Sequence, residues 1–385
     1  QQTTDGGYVL GGSSVSDATG DKSQDSRGNE DYWIVKTDAA GNKQWDRRFG
    51  GTGMDDLRSV SQTPDGGYIL AGESLSGANG DKSQGSRGGS DYWIVKTDGA
   101  GTKQWDRRLG GASDDSLYSM LQCPDGGYVL GGASLSAAGG DRSEITRGGK
   151  DFWVVKVDPS GAKVWDSAMG GTLNDSLYVL QPLLDWGGFF LVGGSLSNAG
   201  NDKSDNSNAG SVDYWLVAIA DLDAVAPKDW DRRFGGANDD RLSALQQTSD
   251  GGYILGGYSA SGANGDKSQG ARGGGDFWVV RLDKTGAKLW DRRFGGSNED
   301  TFTSLQQTSD GGYILGGYSL SGGNGDKSQA SRGGYDYWIV KTDSAGTKQW
   351  DRRFGGAGVD WLRSVRQTAD GGYILGGHST SGAGG

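Results

Sequence analysis

The chain is poor in the residues that most site chemistries need. It holds one histidine, one cysteine, three methionines and five prolines in 385 residues. The single cysteine, Cys123, forbids an internal disulfide and says little about redox compartment. It stands where other copies of the same segment carry Thr63, Thr248 or Thr308, and reads as a buried substitute for threonine. The sole histidine, His378, has no matched nucleophile beside it in sequence, so neither a Ser-His-Asp triad nor a histidine-rich metal site can be assembled. No apolar run approaches the length of a membrane span, which argues against direct membrane insertion. Positive charge is scarce as well. Lys and Arg number 38 against 49 Asp and Glu, and the net charge of −11 opposes non-specific attraction to nucleic acid or anionic lipid. Helical periodicity is missing throughout. The chain opens Gln1-Gln-Thr-Thr-Asp, which reads as the middle of a repeat, consistent with a removed signal peptide or an excerpt of a longer protein.

Glycine is abundant, at 74 residues, and so are aromatics, with 14 Trp, 15 Tyr and 9 Phe. Such glycine content could mark a low-complexity chain. The aromatics, however, fall at fixed positions, and burying them is what offsets chain entropy. The glycines therefore read as turn and close-packing residues. Their context is a repeat of about sixty residues. Asp65-Gly-Gly-Tyr-Ile-Leu-Ala-Gly72 returns at Asp125, Asp250, Asp310 and Asp370, with an opening copy at Asp5 and a distorted one from Asp185. Asp-aromatic-Trp recurs at Asp31, Asp91, Asp151, Asp213, Asp276 and Asp336, and Trp-Asp at Trp45, Trp105, Trp165, Trp230, Trp290 and Trp350. A unit repeated so faithfully must bury its apolar faces against its neighbours.

Within one unit, Phe302 to Thr308 alternates as a strand and Ser309-Asp-Gly-Gly312 turns the chain. Tyr313 to Ser319 is a second strand, a long polar connection follows, Asp336 to Lys341 is a third strand, and Thr347 to Phe354 a fourth. The third strand is apolar on both faces, so the sheet is covered on both sides. Four antiparallel strands with two buried faces predict an all-β chain, a β-propeller of four-stranded antiparallel blades. Residues 1–385 form one such domain of about six and a half repeats, with a divergent blade segment over 182–228. The second strand occurs seven times and the others six. Seven blades are favoured over six, with about 35 residues absent from the N-terminus.

These residues carry a resemblance. Asp-Tyr-Trp-Ile-Val-Lys-Thr-Asp, then Gly, Trp, Gly-Gly with Asp four residues on, and Asp-Gly-Gly-Tyr-Ile-Leu-Gly-Gly, resemble the secreted bacterial β-propeller repeat of Bacteroidota surface proteins, over essentially the whole chain. The resemblance implies a secreted or cell-surface location and a type IX secretion context, and implies no activity.

The long connection between strands two and three keeps an Asp in six copies: Asp21, Asp81, Asp141, Asp202, Asp266 and Asp326. It keeps an Arg in five, at Arg27, Arg87, Arg147, Arg272 and Arg332, with Ala209 in the odd repeat. The connection from strand four to the next unit keeps Asp55, Asp115, Asp175, Asp240, Asp300 and Asp360. Short carboxylates favour turns, so each loop could be pinned by its own Asp–Arg pair. The functional reading is a ring of similar sites for a repetitive ligand such as a glycan, with Trp and Tyr offering flat faces and these loop Asp and Arg residues, with Asn, gripping hydroxyls. Calcium is a further ligand for oxygen-rich loops, opposed by the lysine of Asp-Lys-Ser. No other cofactor is expected. Trp-Asp-Arg-Arg-Phe reads as an outer strand with its own ion pairs. Repeated similar loops favour multivalent binding over catalysis. The expectation is a non-enzymatic recognition or adhesion module whose partner is a glycan or a surface protein. The alternatives are a structural subunit of a surface assembly, and a polysaccharide-active enzyme centred on the divergent repeat.

Overall fold

The computed structural model describes residues 1–183, 187–207, 210–219, 228–368 and 370–382. Asp185, Trp186, Asn208, Ala209 and the stretch 220–227, all singled out in the divergent repeat, lie outside the described residues. The rest fold into 25 strands in seven antiparallel sheets, and within each sheet the spatial order follows the chain order. The strands pair as meanders, the sheet pattern of propeller blades, and seven sheets match the seven-bladed expectation.

The described residues fall into two compact units, residues 1–180 and those from Gln181 onward. In the first, β1 (Tyr8–Ser14), β2 (Asp31–Thr37) and β3 (Lys43–Phe49) make one sheet. β4 (Asp55–Gln62), β5 (Tyr68–Ser74), β6 (Asp91–Thr97) and β7 (Lys103–Leu109) make the next. β8 (Asp115–Gln122), β9 (Tyr128–Ser134), β10 (Asp151–Val157) and β11 (Lys163–Met169) follow, and the chain leaves the unit within β12 (Asp175–Pro182). The second unit holds β13 (Phe189–Ser195), β14 (Asp213–Ile219) and β15 (Lys228–Phe234), then β16 (Asp240–Gln247), β17 (Tyr253–Ser259), β18 (Asp276–Leu282) and β19 (Lys288–Phe294). It continues with β20 (Asp300–Gln307), β21 (Tyr313–Ser319), β22 (Asp336–Thr342) and β23 (Lys348–Phe354), and with the pair β24 (Asp360–Gln367) and β25 (Tyr373–Ser379).

Third strands are buried along their whole length in β6, β10, β14 and β18, as two apolar faces require. Sheets join through one repeated contact. The Tyr32 ring lies 4.8 Å from that of Trp93 on the next sheet, and its hydroxyl donates to the Trp93 carbonyl oxygen at 3.0 Å. Tyr92 does the same to Trp153, and Tyr214 reaches the Trp278 carbonyl at 3.4 Å. Neighbouring first strands also meet: Gln307 donates its N–H to Gln246 Oε1 at 2.6 Å, and Gln367 donates to Gln306 at 2.7 Å.

First strands begin two residues earlier than their alternation suggests. Asp55, Asp115, Asp240 and Asp300 therefore open strands and are fully buried, and do not stand on an exposed connection. The Asp of Trp-Asp is likewise buried on the fourth strand. Asp106 Oδ2 accepts from Trp93 Nε1 at 3.1 Å and from the Ser83 N–H at 2.8 Å, which ties the long loop to the sheet edge. These donors and the Lys103 ammonium hold its carboxyl below the usual range, against the opposing effect of burial.

Candidate functional site

The long loops are built around a buried lysine. Lys82 Nζ donates to Ser74 Oγ at 2.7 Å, to the Ser76 carbonyl at 3.0 Å and to Ser86 Oγ at 2.8 Å. Three oxygens thus close on the loop's own ammonium. Desolvation lowers the Lys82 pKa to about 8, and Lys267 and Lys327 behave alike.

Asp55 and Asp91 lie beside Lys82, and Asp55 in turn faces Asp31 of the preceding sheet. Asp55 Oδ2 accepts the Gly51 N–H and Ser76 Oγ, both at 2.8 Å, while Asp31 Oδ2 accepts the Arg27 N–H at 2.6 Å. The Oδ1 atoms of both are buried without a hydrogen-bond donor. Glycine is required between them, because a Cβ at Gly50 would stand 1.8 Å from Asp31 Oδ1 and 2.9 Å from Asp55 Oδ2. Burial raises the carboxyl pKa values of Asp91, Asp151 and Asp276 to about 6, and the neighbouring carboxylates Asp115, Asp175 and Asp300 push the same way.

Of the loop Asp and Arg residues expected to hold a ligand, three pairs hold each other, and they do so between consecutive repeats rather than within one loop. Arg27 Nη1 lies 2.7 Å from Asp81 Oδ2, Arg87 lies 2.7 Å from Asp141, and Arg272 lies 2.9 Å from Asp326. Each such Asp also accepts the N–H of the preceding Gly-Gly turn at 3.2 Å, as Asp81 does from Gly50 and Asp266 from Gly235. A fourth-strand arginine adds a second cation at Asp81, Arg48 at 3.2 Å, and Arg233 at 3.3 Å pairs with Asp266, whose repeat partner position is Ala209. Arg147 turns instead to the Ala168 carbonyl and to Glu144. The backbone carbonyls of Asp21 and Asp202 accept from Lys43 and Lys228, and the Arg332 N–H caps Asp336. Replacing Asp81, Asp266 and Asp326 by Ala in turn is expected to lower the melting temperature stepwise, at about 1 kcal/mol per half-exposed clamp. Calorimetry of the single, double and triple variants checks this; an unchanged melting temperature in the triple variant would show that the clamps carry no stability.

A different region gathers unlike residues from otherwise like repeats. The second residue of each first strand faces the sixth residue of the second strand, giving the pairs Asp56–Glu73, Ser116–Ala133, Arg241–Tyr258, Thr301–Tyr318 and Trp361–His378. In the second unit these positions line a cleft of about 720 Å³ between β16–β17 and β20–β21. Tyr258 and Tyr318 stand on its walls, Asp239, Arg241, Glu299 and Thr301 supply its polar groups, and buried Phe302 also lines it. Arg241 Nη2 holds Asp239 Oδ2 at 3.0 Å. Glu299 accepts from the Tyr335 hydroxyl at 3.1 Å and from Thr301 Oγ1 at 3.3 Å. Beyond Tyr318, rings continue through Tyr335 at 5.2 Å and Trp361 at 5.9 Å to His378. Tyr258 has its place because position 275 is glycine: a Cβ there would stand 2.2 Å from the tyrosine ring. Sequence reasoning missed this cleft. The available signal was the difference between copies at one register position, which reads Ser13, Glu73, Ala133, Gly194, Tyr258, Tyr318 and His378.

No protein-family model matches the chain. The regulatory protein FlaEY of Caulobacter vibrioides is 26% identical over 331 residues, covering 80% of this chain and 34% of that protein. The chain thus spans about a third of that relative's length. Among solved structures, the Pan2 WD40 domain of Neurospora crassa is similar with a TM-score of 0.50 at 11% identity, over 97% of this chain and 83% of that one. A protein of unknown function from Bacteroides caccae has a TM-score of 0.41 at 11% identity, over 84% and 90% of the two chains. A Synechocystis apocarotenoid oxygenase mutant has 0.47 at 10% identity, over 97% and 84%. Likeness at this identity shows the fold alone, here the propeller of the WD40 domain.

Proposed function

We propose that the protein is a non-enzymatic recognition or adhesion module, secreted or displayed at a cell surface, whose partner is a glycan or a surface protein. One observation carries the reading. The repeats are nearly identical in the residues that build the blades, and vary from copy to copy at the register position that Tyr258 and Tyr318 occupy at the first-strand mouth. A framework copied unchanged under a varied surface is what recognition needs, since binding residues sit on positions that the scaffold leaves free. His378 packs its ring against Trp361 at 5.8 Å, a packing role that needs no proton transfer. The resemblance to secreted bacterial propeller repeats supports the surface location and a type IX route. No described helix is long and apolar enough to cross a membrane.

A second reading is a subunit of a surface protein assembly, with protein rather than glycan as the partner. Glycan-array binding and titration against purified surface proteins distinguish the two. Purified protein incubated with polysaccharides, with reducing ends measured, tests the absence of catalysis. Binding without turnover is expected, and steady release of reducing ends would overturn the non-enzymatic reading.

A further inference from the structure

We infer that the cleft between β16–β17 and β20–β21 is a binding site for an uncharged glycan, with Tyr258 and Tyr318 as stacking faces and Asp239, Arg241 and Glu299 as hydroxyl partners. The inference rests on the recognition reading and adds the ligand class and the place.

The charge of the cleft selects the ligand. Its lining carries two carboxylates, Asp239 and Glu299, and one guanidinium, Arg241, so it is negative by one unit. An anionic ligand meets that charge and the net charge of −11 of the chain. A cationic ligand finds both carboxylates already engaged, Asp239 by Arg241 at 3.0 Å and Glu299 by two hydroxyls. Asp239 is neutralised by Arg241, so the net attraction for a cation comes down to the single charge of Glu299, beside an exposed guanidinium. A neutral polyol meets no such conflict. Each carboxylate oxygen has spare lone pairs to accept a hydroxyl, and the exposed Arg241 has free N–H groups to donate.

Shape points the same way. The space of about 720 Å³ is within the range of ligand pockets and suits a short oligosaccharide rather than a folded domain. Tyrosine presents a flat apolar face at low entropic cost with a polar tip, which fits the apolar face and hydroxyl rim of a pyranose ring. The Tyr258 hydroxyl is fixed by donating to the Gly274 carbonyl at 3.0 Å, and the Tyr318 ring is braced edge-on by Tyr335, at an interplanar angle of 89°. Both rings are therefore held before a ligand arrives, which lowers the ordering cost of binding.

The test is calorimetric titration of the full chain with cellohexaose, xylohexaose, maltohexaose and mannohexaose, beside hexagalacturonate and hexalysine. Saturable binding of at least one neutral oligosaccharide is expected, with hexagalacturonate and hexalysine bound at least tenfold more weakly. Tyr258→Ala and Arg241→Gln are each expected to weaken it by roughly tenfold, while Tyr258→Phe retains it within a few-fold. Arg241 is exposed, so its variant folds, and an unchanged melting temperature confirms this. Neutral-glycan binding that survives Tyr258→Ala and Arg241→Gln would overturn the site while leaving the recognition reading in place. Preference for hexalysine or hexagalacturonate would overturn the ligand class. Binding of none of the six would overturn the inference, and the recognition reading would then rest on its protein partner alone.

Discussion

Trp93→Ala is expected to destabilise the fold by roughly 3–5 kcal/mol, the range for emptying a large buried aromatic site. The side chain is fully buried among Val9, Tyr32, Phe49, Leu57 and Tyr68, so its loss opens a cavity lined by its own sheet and by the preceding one. Two further contacts go with it. The ring leaves Tyr32, 4.8 Å away, and the indole N–H leaves Asp106, whose carboxylate still faces Lys103 and Ser83. Trp93→Phe separates the two effects, because it keeps most of the packing and removes the donor. Its cost is expected near 1–2 kcal/mol. Denaturant unfolding followed by tryptophan fluorescence measures both. A loss below about 1 kcal/mol for the alanine variant would mean that the contact between sheets is not what the buried Trp–Tyr pairs indicate.

That contact was legible in sequence because its physics is local. Tyr92, Trp93, Ile94 and Val95 are apolar on both faces of one strand, and a strand of that kind must be covered twice. The same reasoning gave four strands per unit and placed the turns at Asp-Gly-Gly. It could not give the partner of Asp81. The pair with Arg27 depends on how one sheet rests on the next, and both residues sit in loops without periodicity. Lys82 was hidden for a related reason. Within Asp-Lys-Ser it looks like a solvated charge that would repel a cation, and only the return of the chain past Ser74 and Ser86 buries it. The cleft was hidden by attention to sameness. Positions kept in every copy, such as Asp55 and Trp45, proved to build blades. Tyr258 and Tyr318 stand at a position that changes from copy to copy, and a residue free to change is one on which the scaffold makes no demand.

Raising the pH from about 4.5 to 7.5 is expected to destabilise the protein by several kcal/mol, opposite to the usual gain of carboxylate-rich folds over that interval. Asp91, Asp151 and Asp276 titrate near 6 when folded and near 3.9 when unfolded. Between those values the folded chain holds protons that the unfolded chain has released, so stability falls as pH rises through the window and levels above it. A shift of about two units corresponds to roughly 3 kcal/mol per group as an upper figure. Burial sets the sign against the groups around them. Asp91 faces Asp115, Arg108 and Lys82; Asp151 faces Arg142, Asp175 and Arg147; Asp276 faces Asp300, Arg293 and Lys267. In each case desolvation outweighs the cations. Carboxyls held low by donors, such as Asp65 and Asp310 at about 2, give stability that is present above 3.9 and lost only as pH falls towards 2. They therefore do not mask the window. Replacing Asp91, Asp151 and Asp276 with Asn removes the three titrations while keeping an oxygen for the N–H groups of Arg87, Arg147 and Arg272. The triple variant should lose the larger part of the parent's fall in unfolding free energy between the two pH values, the remainder coming from Asp31, Asp115, Asp240 and Asp300, which burial also raises, and should exceed the parent at pH 7.5. If the parent is instead as stable at 7.5 as at 4.5, the paired carboxylates share no retained proton, and their buried Oδ1 atoms must be satisfied by donors such as bound water.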